Sequence, residues 1–180
     1  CQLFDQIFRI VIICHGCGRE EAEHIARAAL IPTVYDRPEE MIGKVDAVIA
    51  ALENGAAAFV MQKDMGLPNQ ILVKNTRAAY AVLCAEFFGH PERKLKIIGV
   101  TGTNGKTTSC FILKSVLDSL GHKSGLLGTV KNIVGDKEYP ASLTTPDCYE
   151  LFSLYAQMVE AECEYCVMEV SSQALDQCRV

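Results

Sequence analysis

The sequence predicts an α/β fold: a small N-terminal α/β domain over residues 1–94, then a central domain over residues 95–180 with a mostly parallel sheet. Three observations predict it. Apolar runs of strand length alternate with longer segments whose apolar residues recur at helical spacing. A loop of glycines and threonines, residues 99–108, stands between one such run and one such segment. A short charged connector, residues 91–94, divides the pattern into two blocks.

The elements follow in order. Residues 7–14 read as a strand. Residues 19–30, rich in Ala and Glu and stopped by Pro32, read as a helix. In residues 45–54, Val45, Val48, Ile49 and Leu52 recur at helical spacing, and Asn54-Gly55 ends the segment. Residues 56–61 form a short buried strand, 66–69 a turn and 70–74 a further strand. Residues 76–88 carry a helical apolar face, closed by Gly89, His90 and Pro91.

Beyond the connector, residues 95–100 are an apolar strand. Residues 107–120 read as a helix with Phe111, Ile112, Val116, Leu117 and Leu120 on one side and Gly121 as its stop. Residues 125–130 read as a strand, Gly135-Asp136 as a turn, 148–162 as an amphipathic helix and 166–170 as an apolar strand. Such alternation gives a parallel sheet covered by helices.

Composition limits the function. The chain has 180 residues, 49% hydrophobic and 22% charged, with a net charge of −5. That charge argues against binding nucleic-acid backbones, which are met by clustered Lys and Arg. No apolar run approaches the roughly 20 residues of a membrane span, and no signal-peptide layout is present, so a cytoplasmic protein is expected. The first residue is Cys1 rather than Met, as in an internal fragment or a processed product. Nine cysteines, an odd number without a secretion signal, speak against a disulfide framework. Two pairs have CxxC spacing, Cys14-His15-Gly16-Cys17 and Cys163-Glu164-Tyr165-Cys166. They are too far apart for a compact zinc ribbon, and the second overlaps a buried strand, so reduced thiols are favoured over a metal or redox site.

The strongest motif is Gly99-Val100-Thr101-Gly102-Thr103-Asn104-Gly105-Lys106-Thr107-Thr108. Between a strand and a helix, glycines let the backbone fold around phosphate oxygens with its N–H groups pointing inward. The helix adds its positive N-terminal end. Gly102, Thr103, Asn104, Gly105, Lys106, Thr107 and Thr108 are thus candidates for binding ATP. Lys106, the candidate catalytic residue, can neutralise charge between the outer phosphates, and the Thr107 hydroxyl can bind Mg²⁺. The first Gly of the longest phosphate-loop pattern is replaced by Val100, so the loop matches a shorter G-x-x-G-K-T form.

The run Thr101 to Thr108 resembles the ATP loop of the Mur ligases, and two further stretches narrow the resemblance to the branch that adds the third residue of the peptidoglycan stem peptide. In Leu143-Thr144-Thr145-Pro146-Asp147 the paired hydroxyls resemble the family's contact to a UDP-MurNAc-dipeptide. Read without that resemblance, Thr-Thr-Pro-Asp is an ordinary helix entry with Thr145 or Asp147 at the cap. The stretch Met168-Glu169-Val170-Ser171-Ser172-Gln173-Ala174-Leu175-Asp176-Gln177-Cys178-Arg179-Val180 resembles the family's segment after a central strand.

By that match Glu169 joins Thr107 as a Mg²⁺ ligand, and Thr144, Thr145, Ser171, Gln177 and Arg179 bind the muramyl dipeptide. Gln173 departs from the family, which usually has His there; a Gln side chain donates a hydrogen bond but carries no charge at neutral pH. Residues 45–60 resemble the end of the family's uridine-binding domain, but the expected Ser-Arg and Asp-Gly-His stretches before Val45 are absent. No uridine site is therefore assigned.

The resemblance implies an ATP-dependent ligase of a truncated P-loop central domain, acting as a monomer on a UDP-MurNAc-dipeptide and a diamino acid, meso-diaminopimelate or L-lysine. It also implies an incomplete, inactive piece of that ligase. Cyanophycin synthetase, with a similar loop, or a non-catalytic nucleotide-binding module are the alternatives.

Overall fold

The computed structural model describes residues 10–14, 31–34, 58–64, 66 and 69–180. The helices expected over residues 19–30 and 45–54, the stretch resembling a uridine-binding domain up to residue 57, and the Cys14/Cys17 pair lie outside the described residues or side chains. The chain divides into two compact units, residues 1–80 and 81–180.

The first unit holds a four-stranded, wholly parallel sheet in the order β2-β1-β3-β4. Its strands are β1 (Ile10–Cys14), β2 (Ile31–Val34), β3 (Ala58–Met61) and β4 (Gln70–Leu72). Phe59, Val60 and Met61 are buried, as the apolar run requires. Helix α1 (Thr76–Phe87) follows. The Asn75 side chain accepts from the Arg77 and Ala78 amides at its start, and Gly89, with φ of 70°, stands just past its end.

The second unit is built on β5 (Lys96–Val100), β6 (Ser124–Leu127), β7 (Lys131–Val134), β8 (Lys137–Pro140) and β9 (Tyr165–Glu169), in the order β5-β9-β6-β7-β8. The connector is a 3-10 turn, Pro91–Arg93, leading into β5. β5, β9 and β6 are parallel, and β7 and β8 extend the sheet as an antiparallel hairpin around the expected Gly135-Asp136 turn. The helices are α2 (Lys106–Ser119), α3 (Cys148–Glu160) and the short α4 (Ser172–Asp176).

The period of two along β9 sends successive side chains to opposite faces, and both faces are covered. Val167 joins Cys110 of α2, Leu126 and Ile133 in one apolar cluster, with Ile98, Val100, Phe111, Leu113 and Leu117 packed against it. On the other face the Tyr155 hydroxyl of α3 donates to the Met168 thioether at 3.0 Å, and Met158 fills the space a side chain at Gly125 would need. One expectation is corrected here. Phe111 and Leu117 do pack inward, but Ile112, Val116 and Leu120 are exposed. The buried stripe of α2 runs through Cys110, Leu113 and Leu117, spaced three and four apart, and the sequence reading had passed over its first two members.

Among the described residues no helix is long and apolar enough to cross a membrane. The second CxxC pair is a pair of buried free thiols, and no group of three His, Cys, Asp or Glu suited to a metal occurs among the described residues. Burial pushes the Cys166 thiol far up and the Cys110 thiol to about 11, so both stay protonated and behave as small apolar side chains.

Candidate functional site

The register of three parallel strands assembles the site. Val100 pairs with Glu169, and Leu127 pairs with Met168, so β5, β9 and β6 end at one level. The phosphate loop leaves β5 at that level, Gly128-Thr129 leaves β6, and Val170-Ser171 leaves β9. Carboxyl ends of parallel strands are where open α/β sheets gather their ligands. Alternation decides the rest. Glu169 lies two residues from Val167, on the face covered by α2, and Glu169 adds to the upward push on the Cys110 thiol of that helix.

The loop itself is exposed from Thr101 to Gly105. Gly102 and Gly105 have φ of 144° and 80°, values an L side chain rarely takes. Gly105 is the N-cap of α2, so the freed amides of the first turn face the loop. Lys106 folds back over it and donates to the Gly102 carbonyl at 2.7 Å. Thr107 is half-buried and Thr108 exposed in the first turn of α2.

Glu169 is 1% exposed. Its Oε1 accepts from the Thr129 amide at 2.9 Å and its Oε2 from the Thr129 hydroxyl at 3.2 Å. No Lys, Arg or His among the described residues forms an ion pair with it. A buried carboxylate held by hydrogen bonds but without a counter-charge is a fitting partner for a hard cation.

The five residues matched to dipeptide binding come together beside it. Thr145 is buried; its hydroxyl donates to the Glu169 carbonyl at 2.9 Å and accepts from the Ser171 amide at 3.0 Å. The Ser171 hydroxyl caps α4 by accepting from the Ala174 amide. Arg179 donates to the Thr145 carbonyl at 3.0 Å and to the Gln177 side chain. Thr144 is half-buried, its hydroxyl 3.1 Å from that of Thr129. Thr145 thus fastens two loops together, whereas Thr144 keeps part of its surface free. Asp147 is the cap of α3, accepting from the Glu150 amide at 2.9 Å.

Sequence reasoning missed Gly128 and Thr129, which it absorbed into a strand over residues 125–130. The strand stops at Leu127, and Val130 is exposed. A Cβ at Gly128 would stand 2.4 Å from Glu169 Oε1. Buried Asn132 holds the Gly128 amide at 3.3 Å. The usable signal was Gly-Thr directly after an apolar run, a pairing that also occurs within the phosphate loop at Gly102-Thr103.

Residues 100–180 match the Mur ligase middle domain family. The UDP-N-acetylmuramoyl-L-alanyl-D-glutamate–2,6-diaminopimelate ligase of Clostridium perfringens is 49% identical over 133 residues, which are 72% of this chain and 28% of that protein. The enzyme of the same name from Parabacteroides distasonis is 45% identical over 135 residues, 73% of this chain and 28% of the relative. A solved structure of a ligase of that name superposes with a TM-score of 0.64 at 27% identity, covering 74% of this chain and 28% of the other. The chain therefore spans under a third of the length of these relatives. With their phosphate loop, buried strand-end carboxylate and these matches, residues 100–180 are similar to the middle domain of the Mur ligases.

Proposed function

We propose that the protein is part of an ATP-dependent amide-forming ligase, acting in the cytoplasm as a monomer on UDP-MurNAc-L-Ala-D-Glu in peptidoglycan synthesis. The observation that carries this reading is the pairing of Val100 with Glu169, which sets an uncompensated buried carboxylate beside the loop that would hold the triphosphate. The relatives' names favour 2,6-diaminopimelate over L-lysine as the amine added.

In this reading the amides of residues 102–108 and the Lys106 ammonium bind the ATP phosphates and spread the negative charge that builds during transfer. Thr107 and Glu169 would hold Mg²⁺, whose chemistry here is to neutralise phosphate charge. The γ-phosphoryl group passes to the D-glutamate γ-carboxylate, ADP leaves, and an acyl phosphate results. A carboxylate is a poor electrophile until one oxygen becomes a good leaving group. The amine then attacks the acyl carbon, phosphate departs and the amine loses a proton. Thr144, Thr145, Ser171, Gln177 and Arg179 orient the dipeptide, with Arg179 the natural partner of a carboxylate.

The test is calorimetry of the 180-residue chain with ATP·Mg²⁺ and, separately, with UDP-MurNAc-L-Ala-D-Glu. Binding of both, with nucleotide binding weakened in Lys106→Ala, supports the reading. A chain that binds nucleotide but not the muramyl dipeptide would point to a sister ligase, and one that binds neither would end the proposal.

A further inference from the structure

We infer that Thr129 is a positioning residue for the nucleotide-bound cation: it grips both oxygens of Glu169 and ties that carboxylate to Thr144. This deepens the proposed function and rests on Glu169 facing the cation.

The two grips are independent. The Thr129 amide meets Oε1 at 2.9 Å and its hydroxyl meets Oε2 at 3.2 Å. A carboxylate bound at both oxygens by one residue loses its freedom to rotate, and what rotation remains is limited by the Gly128 backbone, which runs so close to Oε1 that no Cβ fits. Asn132 in turn fixes Gly128 from beneath. The carboxylate plane is thus set by a segment, residues 128–132, that touches neither the phosphate loop nor the strand bearing Glu169 in sequence.

Proton counting orders the outer link. A hydroxyl carries one proton, and a charged carboxylate is the better acceptor, so Thr129 donates to Glu169. In the 3.1 Å contact between the two hydroxyls, Thr144 must then supply the proton and Thr129 the lone pair. Thr144 consequently turns acceptor toward whatever lies outside it, suiting an N–H or O–H of the bound substrate rather than a phosphate oxygen. Thr129 is itself exposed, so replacing it with Val removes the hydroxyl without opening a core cavity.

The experiment measures ADP binding by the 180-residue chain in excess Mg²⁺ and in EDTA. The readout is the gain in affinity that Mg²⁺ confers. The wild type should show a clear gain and Glu169→Gln should abolish it. Thr129→Val should cut the gain by about tenfold, the worth of one hydrogen bond to a charged group, and Thr129→Ser should restore it. A merely structural role would move both conditions together and leave their ratio intact. If Glu169→Gln abolishes the gain while Thr129→Val keeps it, or Thr129→Ser is as impaired as Val, the inference is overturned and the function stands. If the wild type shows no gain, or Glu169→Gln retains it, the underlying reading fails and the inference falls with it.

Discussion

The two halves of the site are built on opposite principles. The phosphate loop is a contiguous run of eight residues, Thr101 to Thr108, whose shape is dictated by its own glycines and by the helix that follows. The carboxylate cradle is assembled from four separate places: Glu169 from β9, Gly128-Thr129 after β6, Thr144-Thr145 before α3, and Ser171 before α4. The loop is exposed from Thr101 to Gly105, whereas the cradle is centred on buried Glu169 and Thr145 and is cross-linked by hydrogen bonds between its four segments. In the proposed function such a site would divide its labour, with phosphate charge met by exposed backbone amides and the carboxylate oxygens fixed in advance.

Substitutions can break that contrast. The largest effect should come from Lys106→Ala, which removes the loop's lysine ammonium and is expected to weaken nucleotide binding by about 10- to 100-fold, with or without Mg²⁺. Titration calorimetry checks it, and a change confined to the Mg²⁺ condition would contradict it.

The two glycines then sharpen the comparison, because each is required for a different reason. Gly105→Ala meets no atom within 4 Å but must hold a φ of 80°, so it should cost about 1–2 kcal/mol in backbone strain. Gly128→Ala instead drives a methyl group into Glu169, and a cost of about 1–3 kcal/mol from overpacking is expected. Chemical denaturation measures both. Only Gly128→Ala should also erase the Mg²⁺ dependence of nucleotide binding, since only it displaces the carboxylate.

A smaller effect is expected from Asp147→Ala, which removes the cap of α3 and should lower stability by about 1 kcal/mol in the same denaturation experiment, leaving metal-free nucleotide affinity unchanged.

The smallest concerns His90, remote from both halves in sequence. Its ring lies 2.8 Å from Glu92 and 3.0 Å from Glu86, and these bonds, Glu92 first, raise its pKa above the ordinary 6.5. A raised folded pKa stabilises the protein fully below the unfolded value, and the benefit is lost as pH climbs through the folded one. Melting curves of wild type and His90→Gln should therefore converge as pH rises above 6.5, and nuclear magnetic resonance should place the His90 midpoint above that value.

The same contrast explains what could be read from the residues alone. The loop's turn between strand and helix was legible because its signal is local: glycines, a lysine and a threonine stand close together in the sequence. Several elements of the second unit were legible for the same reason, with α3 and β9 placed to within a few residues by periodicity, whereas β7, β8 and the short α4 were not read from the sequence. Glu169 was found through resemblance, but its burial and its grip by Thr129 were not, because a hydrogen bond spanning 40 residues leaves no periodic trace. Thr145 was matched by resemblance to dipeptide binding; its burial and its bonds to the Glu169 carbonyl and the Ser171 amide were not read, since adjacent threonines look alike in sequence until a fold turns one inward. The inward face of α2 was misjudged by leaving out Cys110 and Leu113, which the fold packs with Leu126, Ile133 and Val167.

The most direct measurement is a crystal structure of the chain grown with Mn²⁺ and a non-hydrolysable ATP analogue, using the anomalous signal to locate the metal. The account predicts the β- and γ-phosphates on the amides of residues 102–107 and a metal peak about 2.1 Å from a Glu169 carboxylate oxygen, with Thr129 still holding that carboxylate. A metal peak remote from Glu169, or phosphates bound away from the loop, would contradict it.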